Sequence, residues 1–170
     1  MGRDKASIEV GGVPLAVRAA TVLRDVAYPV RVVGPEAGTG LEPVGDPREG
    51  PLVAFVHGAR ALRTDRPILL LACDMPLVEP ALLRHLVVSL GDADAAVPVT
   101  DGRDQPLCAC YARRATEVGA QLVEDGERSM TALLRALEVA RIDWAQRSAL
   151  LDVDTPSELA AVEAILDAPA

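Results

Sequence analysis

ILLLACDMPLV, Ile68 to Val78, is the stretch whose reading decides the fold. Four consecutive branched apolar residues and two small ones make a strand buried on both faces, and the Asp-Met-Pro that follows breaks it into a loop. Asp74 therefore stands at the carboxyl end of a buried strand, the edge at which open α/β sheets bind ligands. Working outward, strand-like and helix-like segments alternate. Before the strand lie Ser7–Val10, a helix after Pro14 to about Asp25, strands at Pro29–Val33 and Leu41–Val44, and a helix over Leu52–Leu62. After it come a helix from Glu79 through Leu90, strands at Ala95–Val99 and Pro106–Ala112, helices at Ala115–Glu124 and Met130–Leu137, strands at Val139–Ile142 and Leu150–Val153, and a last helix at Glu158–Leu166. Repeated βα units predict an α/β protein with a doubly wound, mostly parallel sheet flanked by helices. The strands at 95–99 and 106–112 flank the Asp101-Gly102 turn and are expected to pair antiparallel at the sheet edge.

The 170 residues suit one domain with a core that needs no staples. Three cysteines, Cys73, Cys108 and Cys110, lie in apolar runs, an odd number that reads as reduced thiols rather than a disulfide framework. His57 and His85 are the only histidines and have no partner at metal-ligand spacing. A net charge of -8 and only four aromatic side chains, Tyr28, Phe55, Tyr111 and Trp144, argue against nucleic acid as a partner. No apolar run approaches the roughly 18 residues of a membrane span, and residues 1–10 lack a secretory apolar core. A cytoplasmic protein is expected.

The candidate chemistry consists of acids and one base. Lys5 is the sole lysine among 17 basic side chains; its compact ammonium suits a phosphate oxygen, or is simply a solvated charge near a terminus. Asp74 is placed to hold a magnesium ion, or to cap a nearby amide. Asp46, between Gly45 and Pro47, is a ligand candidate or an Asx turn. Asp152 and Asp154 alternate about Val153, so both carboxylates share one face of an extended segment; the competing role is to open the last helix. Asp101, Arg103, Asp104 and Gln105 form a polar loop suited to a substrate or to solvent.

Six ordered motifs then carry a resemblance: Met1-Gly2-Arg3-Asp4-Lys5; Gly11-Gly12-Val13-Pro14-Leu15; Asp46 with Gly50-Pro51-Leu52; Cys73-Asp74-Met75-Pro76; Asp101-Gly102-Arg103 with Gln105-Pro106-Leu107-Cys108-Ala109; and Asp152-Val153-Asp154-Thr155-Pro156. Together they resemble the molybdenum cofactor guanylyltransferases, whose nucleotide signature reads L-A-G-G-x-S-x-R-M-G-x-D-K. The resemblance implies a Rossmann-like nucleotidyltransferase fold in a single domain over residues 1–170 and a magnesium-dependent transfer of GMP from GTP to molybdenum-molybdopterin, with pyrophosphate leaving. Carried over by position, Lys5, Gly34, Asp46 and Asp74 would contact GTP, Asp74 would also bind magnesium, and Asp101, Gln105, Asp152 and Asp154 would face the pterin. Molybdoenzymes or insertion chaperones are implied as recipients of the product.

One departure stands out. The chain starts at the methionine inside the signature, so the first strand and the Leu-Ala-Gly-Gly phosphate loop are absent from it, which is expected to leave a neighbouring strand unpaired and a gap in the core. Two readings follow: the natural protein begins upstream and is this enzyme, or a truncated homologue survives only as a binding protein. The intact remaining motifs favour the first. Within enzymes, the alternative is a cytidylyltransferase or another small-molecule nucleotidyltransferase of the same fold.

Overall fold

The central strands of the main sheet sort their side chains alternately onto two helical layers, and that alternation generates the architecture. The computed structural model describes residues 5–167. A 3-10 turn, Lys5–Ser7, leads into a hairpin of β1 (Glu9–Val10) and β2 (Val13–Pro14). Gly11 and Gly12 between them have φ of +56° and +72°, the paired left-handed conformation of a two-residue turn. Helix α1 (Leu15–Arg24) follows, then β3 (Val32–Val33) and β4 (Pro43–Val44), which pair in parallel as a small sheet of their own.

Helix α2 (Pro51–Leu62) starts with proline in its first turn, where the missing N–H costs nothing. Its buried residues Leu52, Phe55, Val56 and Ala59 recur at helical spacing. Next come β5 (Ile68–Leu71), α3 (Pro80–Ser89), β6 (Ala95–Thr100), β7 (Arg103–Asp104) and β8 (Cys108–Tyr111). The chain closes with α4 (Arg113–Glu124), α5 (Met130–Arg135), β9 (Val139–Asp143), a 3-10 turn at Arg147–Leu150, and α6 (Pro156–Leu166). Among the described residues, no helix is long and apolar enough to cross a membrane.

Strand β8 lies between β5 and β6 and is antiparallel to both, β9 pairs with β6 in parallel, and β7 pairs with the end of β6. It follows that β5, β6 and β9 run the same way. Ile68 and Leu70 of β5, Ala95 and Val97 of β6, and Ala109 and Tyr111 of β8 face one core, shared with α2, α4 and α5. Their neighbours Leu69, Leu71, Ala96, Cys108 and Cys110 face a second core, shared with α3 and the end of α1. The α/β reading with helices on both faces therefore holds.

Two local expectations are corrected. The antiparallel strand expected at the sheet edge is central, and all four residues of Cys108–Tyr111 are buried because both faces are covered by helices. The strand expected at Leu150–Val153 joins no ladder; the 3-10 turn ends at Leu150, and Val153 instead makes a single backbone bond to a loop. Among the described residues, β5 has a strand partner only on its β8 side.

Tyr111 joins the central strand to the first core. Its ring lies 4.8 Å from that of Phe55, and its hydroxyl donates to the Pro106 carbonyl at 2.7 Å. Tyr111→Phe keeps the ring and strands the carbonyl, so a loss of about 1 kcal/mol, or about 2–4 °C in the unfolding midpoint, is expected. A midpoint equal to wild type in a thermal melt would show that this bond adds nothing.

Candidate functional site

Three distant segments meet around a small apolar cluster beside the end of β5. Val10 and Leu15 from the N-terminal hairpin and α1, Val153 from the segment before α6, and Val162 from α6 are fully buried together, with Ile8, Cys73, Leu77 and Leu159 packed against them. The loop after β5 is held on two sides. The Ala72 N–H donates to the Leu107 carbonyl at 2.8 Å, and the Val153 N–H donates to the Asp74 carbonyl at 2.8 Å.

That second bond sets the geometry of the acids. Because Val153 points into the cluster and successive side chains of an extended segment alternate, Asp152 and Asp154 are turned outward, and both are exposed. Asp74, half-buried, sits on the strand-end loop to which Val153, between them, is bonded. Of the roles weighed for the last pair, the structural one is visible, because the segment opens α6. Thr155 caps the helix by accepting from the Glu158 N–H, while the Glu158 carboxylate accepts from the Asp154 and Thr155 N–H groups at 2.9 and 2.7 Å. Those donors hold the Glu158 carboxyl below its ordinary value of 4.5.

The N-terminal hairpin is clamped onto α1, since Arg18 donates from Nε and Nη2 to the Val10 carbonyl at 3.0 and 2.7 Å. Its backbone leads back to the turn opened by Lys5, whose side chain lies outside the described residues, as do residues 1–4 of the same motif.

Gly34 and Asp46 belong to the small sheet. Gly34 follows β3 with φ of +116° and donates its N–H to the Val44 carbonyl at 2.9 Å, which brings it alongside the loop carrying Asp46. Asp46 is exposed, and its Oδ1 accepts from the Arg48 N–H at 2.8 Å, so the Asx turn is present. After Gly34 the Glu36 carboxylate folds back to accept from the Gly38 and Gly40 N–H groups, which lowers its pKa.

Asp101 lies at the tip of the β6–β7 hairpin, at φ of +51°, and pairs with Arg147 at 2.8 Å. Gln105 is held by its backbone, donating its N–H to the Pro98 carbonyl at 2.9 Å. Asp104 accepts two bonds from Arg141, at 3.0 and 3.1 Å. Sequence reasoning passed over these two arginines. They lie 46 and 37 residues from their partners, a separation that carries no local signal. Exposed pairs of this kind add little stability, but Arg147 opens the turn that leads into Asp152, so the hairpin tip and the acidic segment are fastened to each other.

Among the described residues, no three His, Cys, Asp or Glu side chains converge as a metal cluster. Magnesium asks for less, since it keeps most of its waters and takes one or two carboxylates together with substrate phosphates. A half-buried carboxylate at a strand end, with two exposed acids on the adjoining segment, fits that donor chemistry.

The cap can be tested apart from the chemistry. Thr155→Ala should cost about 1 kcal/mol, about 2–4 °C in midpoint. Because the folded-state pKa of Glu158 is depressed, its contribution is whole above its ordinary 4.5 and is lost as pH falls through the folded value. A Thr155→Ala melt identical to wild type at neutral pH would remove the capping box from the account.

Comparison with known proteins identifies the family and the fold. A family model described as the MobA-like NTP transferase domain matches residues 1–167. A probable molybdenum cofactor guanylyltransferase of Mycobacterium marinum is 32% identical over 95% of this chain and 86% of its own length. One from Trichormus variabilis is 28% identical over 98% of this chain and 86% of its own length. Among solved structures, the molybdopterin-guanine dinucleotide biosynthesis protein A of Archaeoglobus fulgidus superposes with a TM-score of 0.77 at 22% identity, covering 97% of this chain and 91% of that one. The 2-C-methyl-D-erythritol 4-phosphate cytidylyltransferase of Thermus thermophilus gives the same TM-score at 20% identity, over 96% and 94%. The chain is a nucleotidyltransferase-type enzyme of molybdenum cofactor biosynthesis, and it belongs to the MobA-like NTP transferase family.

Proposed function

We propose that this chain transfers GMP from GTP to the molybdenum-molybdopterin cofactor. A terminal phosphate oxygen of the pterin attacks the α-phosphorus of GTP, the new P–O bond forms as the bond to the β-phosphate oxygen breaks, and pyrophosphate leaves with molybdopterin guanine dinucleotide as the product. The observation that supports this reading is the 2.8 Å bond from the Val153 N–H to the Asp74 carbonyl, which ties the backbone of the acidic segment to the loop that carries Asp74 after β5. The names borne by the relatives supply the substrates.

The division of labour follows from charge. The nucleophile is already an anionic phosphate, so no general base is needed and the difficulty is repulsion between anions. A magnesium ion, when bound, would supply positive charge to the triphosphate at Asp74. Lys5, on the turn that precedes the clamped hairpin, gives the chain's own positive charge to the phosphates. Gly34 and Asp46, adjoining at the ends of β3 and β4, line the nucleotide, Gly34 through its backbone alone. Asp101, Gln105, Asp152 and Asp154 face the pterin, and Arg147 positions the first of these against the segment carrying the last two. The product passes to a molybdoenzyme or its insertion chaperone.

The fold is shared equally with a cytidylyltransferase, so the base is decided by a competition assay in which unlabelled GTP, but not CTP, suppresses transfer from labelled GTP. Asp74→Asn should lower turnover by at least about a hundredfold while leaving the melting curve near wild type. Wild-type turnover in that variant would take Asp74 out of the mechanism.

The thiols give a footprint. Burial pushes the Cys108 thiol up to about 12 and Cys110 up to about 11, and both side chains are wholly buried, whereas Cys73, beside Asp74, is half-buried. Iodoacetamide should label Cys73 alone in the native protein, and GTP with magnesium should slow that labelling. A rate indifferent to GTP would place the nucleotide elsewhere.

A further inference from the structure

His57 stands on α2 where the loop carrying Asp46 passes it. The chain leaves β4 at Val44 and enters α2 at Pro51, so the loop folds back beside the helix it precedes. The ring Nδ1 of His57 lies 2.9 Å from the Gly45 carbonyl oxygen. A carbonyl only accepts, so Nδ1 carries the proton and donates. The side chain is exposed, apart from the buried residues of its helix, and the core makes no use of it. Its neighbour Gly58 explains how the ring comes to be there. A Cβ on Gly58 would lie 2.7 Å from Cγ2 of Val33, a stiff β-branched side chain, so glycine lets α2 lie this close to β3. Because Val33 of β3 is paired with Val44 of β4, the same approach brings His57 to the residue that follows Val44. The loop is also held at its ends, where the Gly34 N–H donates to the Val44 carbonyl at 2.9 Å and the Leu52 N–H to the Arg128 carbonyl at 3.2 Å. Between those ends, His57 holds the peptide before Asp46, and the Arg48 N–H holds the Asp46 carboxylate at 2.8 Å.

We propose that His57 is a positioning residue for the nucleotide: through the Gly45 carbonyl it fixes the peptide that precedes Asp46, and so sets where the Asp46 carboxylate meets a nucleoside triphosphate. The inference rests on the reading in which Gly34 and Asp46 line the nucleotide. Two arguments separate this role from one in the fold. A single hydrogen bond from an exposed side chain adds little to stability. Histidine is also a poorer helix former than alanine or glutamine, so helix stability alone would favour either in its place. What the bond supplies is order. A loop free to move at Asp46 would have to be ordered by the ligand, at the expense of affinity. Because the loop is needed equally in the bound substrate and in the transition state, its loosening raises KM and leaves kcat alone.

The test turns on where the donor sits. The amide nitrogen of asparagine is carried on Cγ, as ring Nδ1 is, whereas that of glutamine stands at the reach of Nε2. In the 170-residue chain, His57→Ala and His57→Gln should raise KM for GTP about fivefold with kcat within about twofold of wild type. In nucleotide-free protein, the same two variants should speed hydrogen exchange at the Arg48 amide about fivefold. His57→Asn should return both readouts to wild type, with melting midpoints alike across the set. A wild-type KM in His57→Ala, a fall in kcat at unchanged KM, rescue by glutamine rather than asparagine, or an unchanged Arg48 exchange rate would each overturn the proposal. If CTP rather than GTP turns over, and its KM follows the same order of variants, the positioning role stands and the guanylyl reading falls. A wild-type chain that turns over neither nucleotide would overturn both.

Discussion

The bond from the Val153 N–H to the Asp74 carbonyl is the constraint on which the arrangement of the site depends. It is worth little as an isolated hydrogen bond, about 1 kcal/mol. Its importance lies in what it is coupled to. Val153 is wholly buried with Val10, Leu15 and Val162, so breaking the bond would also expose a valine worth about 1.5–3 kcal/mol of burial. Apolar packing places the segment, and the bond selects its register. With Val153 pointing in, Asp152 and Asp154 have no choice but to point out, on a stretch already bonded to the loop that carries Asp74.

The sheet supplies the other half of the geometry. Placing β8 between β5 and β6 sets the ends of β5 and β6, and with them the Asp74 loop and the Asp101 hairpin, on the same side of the sheet with one strand between them. Small residues make this possible. Ala95, Ala96, Cys108, Ala109 and Cys110 occupy the middle of the sheet, where Leu82, Leu83 and Leu86 press from one layer and Leu52, Phe55 and Val56 from the other. Two of the thiols are consumed by this packing and held far above the range in which they would react.

Charge is handled locally in a chain of net charge -8. Much of the acid near the site is already engaged: Asp101 by Arg147, Asp104 by Arg141, Glu158 by the amides that open α6, and Glu36 by the amides of Gly38 and Gly40. These engagements reduce the repulsion that an anionic substrate would meet. They also show why acids in a sequence are poor guides to ligands when read singly, because a carboxylate serves an amide or a guanidinium as readily as a metal.

The sequence by itself determined the α/β class, most of the elements and the motifs, because a run such as Ile68–Leu71 buried on both faces and a helix reading Leu52, Phe55, Val56, Ala59 are set by local periodicity. It also placed Asp74 at a strand end, since Pro76 follows within two residues. Only the tertiary structure decided that Cys108–Tyr111 is central rather than marginal, and that Leu150–Val153 serves a loop instead of a ladder. It alone decided that Asp101 and Asp104 are matched by Arg147 and Arg141. Each of these depends on which segments meet across tens of residues, where the free energy lies in shared burial and in single hydrogen bonds that leave no spacing in the chain to read.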